Sequence, residues 1–379
     1  MRPAICTSTI PPVREHQAAT LPTLVLETVP RASVIVVNYN GRRHLKPCLR
    51  SLLRSLPQSY VQETELILVD NGSTDGSADT VAQKFPQVQV IHSEKNRGFG
   101  WGNNVGARRA RGEYLVFLNP DTIVEPGWLE ALIAALESDP QCGLATSRIL
   151  LLDDPRRINT CGNDVHCTGL TLCRGMGKDR AAFPDQTEVG AVSGAAFAVR
   201  RQVFETLEGF DETFFLYVED TDLSWRARLA GYQCLYVPRS VVYHDYRLHF
   251  GPRKTFHQER NRYLMLLKSL RWRTLLVLLP ALLAAEVVAW GFVLLRDRRH
   301  LANKLRAYGW VVEHWGEIVA SRRRVQATRK VSDREMIAGC THRLAFEQTG
   351  EGAIARLAHA VFDPLFYALH RVALALVWW

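Results

Sequence analysis

Three carboxylates fall within four residues at Glu219-Asp220-Thr221-Asp222, after the aromatic run Phe214-Phe215-Leu216-Tyr217. Acids this close repel, which raises the pKa of at least one. A group so tuned suits a general base or a metal site. Acids in the first turn of a helix are also favoured by the helix dipole. Asp222 fits that purely structural role, whereas Glu219 and Asp220, beside the aromatics, fit it less well. A further acid, Asp121, closes the tripeptide Asn119-Pro120-Asp121. A carboxylate there can hold a divalent cation against a diphosphate, although Asn, Pro and Asp are also turn formers. Asp70, in Asp70-Asn71-Gly72-Ser73, has the same two readings, and it is the combination of these acids that points to chemistry.

The elements around them are those of an α/β fold. Ser33–Val37, Glu65–Val69, Val88–Ile91 and Tyr114–Leu118 are continuous apolar runs, the pattern of strands buried on both faces of a parallel sheet. Helical spacing follows the first, with Leu45, Leu49, Leu52, Leu53 and Leu56, and Ser77–Phe85 reads as a second helix. Alternating strands and helices predict a mostly parallel, doubly wound sheet with helices on both faces. Ligands of such sheets bind beyond the carboxyl ends of the strands. Asn38–Asn40, Asp70, Asn96–Arg97 and Asn119–Asp121 all fall at such ends, more polar clusters than a core requires.

Several other chemistries are excluded. Gly98-Phe99-Gly100-Trp101-Gly102 is glycine-rich but fails G-x-G-x-x-G from any starting glycine, and it follows the third strand rather than the first, which argues against a dinucleotide site. Cys161, Cys167 and Cys173 stand six apart with His166 alongside, without the close Cys pairs of zinc sites, and read as reduced thiols. The net charge of +9 is concentrated in the C-terminal third, where the residues between the basic ones are Trp, Leu and Val. That pattern predicts a lipid surface rather than nucleic acid as the partner.

Ser33–Gly41, Leu66–Ser77, Asn96–Gly106, Gly112–Thr122, Ser193–Arg200 and Gly209–Gly231 together resemble the successive motifs of family 2 glycosyltransferases. They resemble in particular the rhamnosyltransferase-like branch, in which Asn-Pro-Asp stands in place of Asp-x-Asp. The resemblance implies a GT-A fold and inverting transfer of a sugar, rhamnose in that branch, from a nucleoside-diphosphate donor. It also implies a divalent metal, Mg2+ or Mn2+, and a glycan or lipid-linked acceptor in cell-surface polysaccharide synthesis. Position by position it assigns the nucleobase and ribose to Tyr39, Asn40 and Asp70. The donor pocket falls to Asn96, Arg97 and Asn104, and close sugar contact to Gly194. Asn119 takes the first position of the acidic motif, Asp121 is a metal ligand with His244 beside it, and Asp220 is the base with Glu219 nearest in role. Two other readings start from the same sheet. A non-catalytic sugar-nucleotide or glycan-binding protein would not need Asp121, Glu219 and Asp220. A nucleotidyltransferase would carry a glycine-rich loop where Asn38-Tyr39-Asn40-Gly41-Arg42 stands.

The expected organisation is a flexible tail over 1–30, a catalytic domain over 31–265 and a helical, basic, membrane-associated region over 266–379. Met1–Pro30 has no apolar run of signal length, which predicts a catalytic part on the cytoplasmic face. Thr274–Leu295 carries one charge, Glu286, and is long enough for a bilayer. Arg271 and Arg273 before it and Arg296, Arg298 and Arg299 after it set no orientation. Whether this stretch spans the bilayer, dips in or lies flat is left open by the sequence, and His300–Arg324, with Trp310 and Trp315, reads as an interfacial amphipathic stretch.

Overall fold

The computed structural model describes residues 29–57, 60, 62–246, 252–296, 299–348 and 353–379. Of the expected tail only Val29 and Pro30 are among them, and Arg298 also lies outside the described residues.

The four apolar runs form strands, linked by the expected helices: β1 (Ala32–Asn38), α1 (Arg42–Ser55), β2 (Thr64–Asp70), α2 (Ser77–Lys84), β3 (Val88–His92), α3 (Phe99–Arg109) and β4 (Tyr114–Leu118). β1 pairs in parallel with both β2 and β4, and β2 with β3. Alternate residues of one strand feed two cores. Val34, Val36, Leu66 and Val116 pack on Leu45, Leu49 and Leu52 of α1 on one face. Ile35, Ile67, Leu115 and Phe117 pack with Phe204 and Phe210 on the other. Each such buried Leu or Ile contributes roughly 1.5–3 kcal/mol, so a one-residue slip, which would exchange the two faces, is heavily disfavoured. The register sets Asn38 beside Asp70 and Asp70 beside His92.

The second half of the sheet is mixed. After β5 (Thr122–Val124), α4 (Trp128–Ser138) and β6 (Cys142–Leu151) come the short β7 (Ile158–Thr160), the hairpin of β8 (Asn163–Val165) and β9 (Thr171–Cys173), and β10 (Thr187–Glu188). β11 (Ala196–Arg200) leads into α5 (Arg201–Thr206), and α6 (Glu219–Leu229) into β12 (Gln233–His244). β11 inserts antiparallel between β4 and β6, and β12 runs parallel to β6. β12 is longer than its apolar Gln233–Val237 core suggests: it continues through a register shift between Val237 and Val241 and pairs antiparallel with β5.

The remaining elements are α7 (Pro252–Ser269), α8 (Trp272–Val277), α9 (Leu279–Arg296), α10 (Arg299–Glu313), α11 (Trp315–Ala327), α12 (Asp333–Ala338) and α13 (Ala353–Leu376). Thr274–Leu295 is thus divided at Leu278, with Pro280 in the first turn of α9, where its missing N–H costs nothing. Among the described residues no helix is long and apolar enough to cross a membrane. The decisive group is Glu286, which turns inward. Its carboxylate accepts from Arg262 and Tyr263 of α7 and Tyr308 of α10, with Lys304 Nζ at 3.0 Å. Glu259 joins the same cluster, 2.9 Å from Arg262 and 2.8 Å from Lys304. Two fully buried cations therefore face two carboxylates. Residue 265, the expected end of the catalytic domain, lies inside α7, which packs on both sides of that boundary. Removing one member of a buried charge cluster costs about 3–5 kcal/mol. We expect a loss of that size for Glu286→Ala in urea denaturation, and a loss below about 1 kcal/mol would show the cluster to be dispensable.

Candidate active site

The first two strand ends are bound to each other. Asn38 Nδ2 donates to Ser77 Oγ (2.8 Å) and Ser73 Oγ (3.1 Å), and lies 3.4 Å from Asp70 Oδ1. Asn40 sits at φ 52°, a conformation Asn tolerates, and its Oδ1 accepts from the Thr74 N–H at 2.8 Å. Tyr39, between them, is 52% exposed. One step along the sheet, Asn71 Nδ2 donates to Gly98 O (2.9 Å) and Asn96 Oδ1 (3.2 Å), and its Oδ1 accepts from the Arg97 N–H (3.1 Å). Asn96 is thereby part of the loop's own framework, while the exposed Arg97 guanidinium lies over Trp101. Asn104 does not join this group. Its carboxamide is spent on Phe210, donating to the carbonyl and accepting from the N–H, each at 2.9 Å, with a further bond to Glu212 Oε1 at 3.0 Å. It fastens α3 to the segment that leads into the aromatic run.

Asp121 and His244 are brought together by the β5–β12 ladder, in which His244 lies opposite Thr122. His244 Nε2 stands 3.3 Å from Asp121 Oδ1, a buried oxygen with no hydrogen-bond partner. The other ring nitrogen, Nδ1, contacts Asn159 Oδ1 at 2.9 Å. Asn159 thereby orients the imidazole, as a partner to the second ring nitrogen does for a metal-binding His. Burial pushes the Asp121 carboxyl up, but His244 outweighs it and the net shift is downward, so Asp121 is ionised. Among the described residues no group of three His, Cys, Asp or Glu side chains could hold a metal ion. The pair still fits Mg2+ or Mn2+, which are commonly held by few protein ligands together with substrate phosphates and water. Asn119 spans the turn between β4 and β5: its N–H donates to Ala195 O (2.9 Å) and its carbonyl accepts from Thr122 Oγ1 (2.7 Å).

Glu219 and Asp220 open α6. Asp220 Oδ2 accepts from the Gly194 N–H at 2.8 Å, and Oδ1 from the Thr221 N–H at 2.7 Å. A side chain at position 194 would press on the Asp220 carboxylate, since an added Cβ would lie 3.2 Å from Oδ2. Burial raises the Asp220 pKa against the pull of those donors. Glu219 is buried, its Oε2 unpartnered, and burial followed by the charge of Asp220 pushes it up to about 8. Burial thus raises both acids, and Glu219, without a hydrogen-bond partner on Oε2, is pushed up to about 8. Asp222, by contrast, is fully buried between Arg226 (2.8 Å) and Lys268 (2.9 Å) and serves the fold.

These groups form a continuous chain of contacts. Asn71 links to Asn96 and Gly98, the Phe99 N–H donates to Phe215 O (2.7 Å), the loop from Phe215 enters α6, Asp220 meets Gly194, and Ala195 meets Asn119. Sequence reasoning did not single out Asn159, nor Asp245, whose Oδ2 lies 3.7 Å from His44 Nδ1. Neither sits in a motif, and only the strand pairing brings them near Asp121.

A parallel four-strand unit joined to a mixed half, with ionisable groups gathered at the strand ends, defines a GT-A glycosyltransferase fold. Residues 33–208 match the family model described as Glycosyl transferase family 2. That match ends before Asp220 and His244. The chain is 28% identical over 239 residues to the N-acetylglucosaminyl-diphospho-decaprenol L-rhamnosyltransferase of Mycobacterium tuberculosis, covering 56% of this chain and 75% of that one. It is 28% identical over 226 residues to the O-antigen biosynthesis protein RfbC of Myxococcus xanthus, covering 57% of this chain and 17% of that protein. Among solved structures, residues 1–349 of S. aureus TarS superpose with a TM-score of 0.53 at 16% identity, covering 90% of each chain. GalNAc-T7, solved with UDP, GalNAc and Mn2+, superposes with a TM-score of 0.51 at 20% identity, over 63% of this chain and 48% of that one.

The elevated Glu219 pKa has a consequence for stability. Its folded value, about 8, lies above the ordinary 4.5. The folded chain therefore keeps a proton that the unfolded chain releases, and this contribution is lost as pH rises from about 4.5 toward about 8. Urea denaturation should find the intact chain losing stability relative to Glu219→Gln across that window, and parallel profiles would remove the assignment.

Proposed function

We propose that this glycosyltransferase moves a sugar, rhamnose by its relatives, from a nucleoside-diphosphate donor to a lipid-linked acceptor, with inversion, in cell-surface polysaccharide synthesis. The observation that carries the reading is the Asp220 carboxylate, aimed by the Gly194 and Thr221 N–H groups. Asp220 takes the proton of the acceptor hydroxyl as its oxygen bonds to the anomeric carbon. The nucleoside diphosphate leaves from the opposite face with the bonding electron pair, and this single displacement inverts the centre. Tyr39, Asn40 and Asp70 hold the base and ribose, Arg97 and Gly194 line the path of the sugar diphosphate, and Asn119 fixes the turn that presents Asp121. Asp121 and His244 would hold Mg2+ or Mn2+, which when bound neutralises charge on the departing diphosphate.

The same reading puts the enzyme on the cytoplasmic leaflet, where a lipid-linked acceptor is reached in two dimensions. What supports this is a surface rather than a span. Leu276, Leu279, Leu283, Val287 and Leu294 form an exposed stripe along α8 and α9, and Leu357, Val361, Leu365, Val372 and Leu376 another along α13. α9 and α13 pack through Ala285 and Phe366, and the exposed charges beside their stripes include Arg273, Arg356 and Arg371. Exposed Trp272, Trp315 and Trp378 suit the headgroup level.

Three outcomes test this. Asp220→Asn should lower turnover about 10²–10⁴-fold while donor affinity holds, and an active variant would move the base elsewhere. In a donor screen led by dTDP-rhamnose with Mn2+, Asp121→Ala should lose metal-dependent thermal stabilisation by nucleoside diphosphate; undiminished turnover in excess EDTA would refute the metal role. Leu283→Glu/Val287→Glu should abolish flotation with anionic liposomes that the intact chain shows, whereas an intact chain that stays below the liposomes at low salt would refute the leaflet surface.

A further inference from the structure

The loop ahead of the two acids is held in an unfavourable conformation. Phe215 (φ 60°), Tyr217 (φ 69°) and Val218 (φ 69°) all have positive φ, and none is glycine. β-Branched and aromatic residues rarely enter this region, and they persist in it only when the surroundings enforce it. The enforcing groups lie on one face of α7. Asn261 Nδ2 is within 3.0 Å of Phe214 O, 2.9 Å of Leu216 O and 2.6 Å of Tyr217 O. Arg260 Nη2 donates to Thr213 O (2.8 Å) and Phe214 O (2.7 Å), while its Nε donates to Asn261 Oδ1 (2.8 Å). That last bond fixes the amide so that its N–H groups, not its oxygen, face the loop. Both side chains are buried, where exchanging these partners for water is costly. One and two turns earlier on α7, His257 stacks on the Phe215 ring and Lys254 lies over Tyr217.

We propose that Arg260 and Asn261 are positioning residues: they hold Thr213–Val218 in its left-handed path and so set the start of α6, with Asp220 against Gly194. The proposal rests on the reading of Asp220 as the base, and adds that catalytic geometry is set from α7, beyond the 33–208 family match. Neither residue touches the acids themselves. Five of the carbonyl contacts of Thr213–Tyr217 end on these two side chains, so their loss frees the loop without opening the sheet.

The test uses the full chain. Asn261→Ala should speed amide exchange of residues 215–220 about ten- to hundredfold, with β1 and β4 unchanged. Turnover should fall by a similar factor while the donor KM stays within about threefold. Adding Val218→Gly, which removes the Cβ penalty at positive φ, should restore part of the lost turnover, which repair of mere α7 packing would not do. If Asn261→Ala does not fold, Arg260→Gln, which keeps Asn261, should give the same pattern in smaller measure. Unchanged exchange at 215–220 in a folded variant, or equal loss of donor binding and turnover, would overturn the proposal. Asp220→Asn separates the two readings: if it stays active, the base assignment fails while the exchange result still decides the role of α7.

Discussion

Phe215, Tyr217 and Val218 cannot hold positive φ by their own preference, and the site depends on their doing so. The turn they make carries the chain from the aromatic run into α6 and delivers Asp220 to the Gly194 N–H. The same turn gives its Phe215 carbonyl to the Phe99 N–H, and so anchors the loop between β3 and α3. Gly98 is required there, at φ 95°, because a side chain would run into the Phe215 backbone. The loop between β3 and α3 and the start of α6 thus meet at one constrained segment, whose other carbonyls are held by Asn261 and Arg260.

The treatment of buried charge separates structural from functional groups. Asp222 and Asp211 meet Lys268, with Arg226 on Asp222, and Glu259 and Glu286 meet Arg262 and Lys304. Such pairs offset desolvation only when both partners are present. Asp121 Oδ1, in contrast, meets a His rather than a Lys or Arg, 3.3 Å away, and Glu219 Oε2 is a buried oxygen without a hydrogen-bond partner. An unpaired buried acceptor in a folded protein calls for an explanation. For Asp121 the proposed cation would supply it.

The inward turn of Glu286 also decides the character of the C-terminal helices. With its single acid bound to α7 and α10, α9 is left with an apolar outer stripe, and α13 presents another beside it. The helical region is tied to the catalytic unit by α7, which holds Glu286 of α9 through Arg262 and the Thr213–Tyr217 carbonyls through Arg260 and Asn261.

Local sequence determined much of this protein. Ser33–Val37 and Tyr114–Leu118 could be read as strands because a strand buried on both faces must be apolar throughout. Asn119-Pro120-Asp121 and Glu219-Asp220 could be read as chemistry because polar groups follow such strands, or crowd, only for a reason. Those features lie within a few residues of one another, where spacing alone carries the information. What the tertiary structure decided involves distant partners. His244 meets Asp121 only because β12 continues past its register shift and pairs with β5. Asn104, which reads as a pocket residue, is claimed by Phe210. Thr274–Leu295 reads as one apolar stretch but breaks at Leu278, since Glu286 finds its cations on other helices. Asn261 and Arg260 have no signature at all, because holding a carbonyl requires only a donor at the right place, and that place exists only when α7 has packed against the loop.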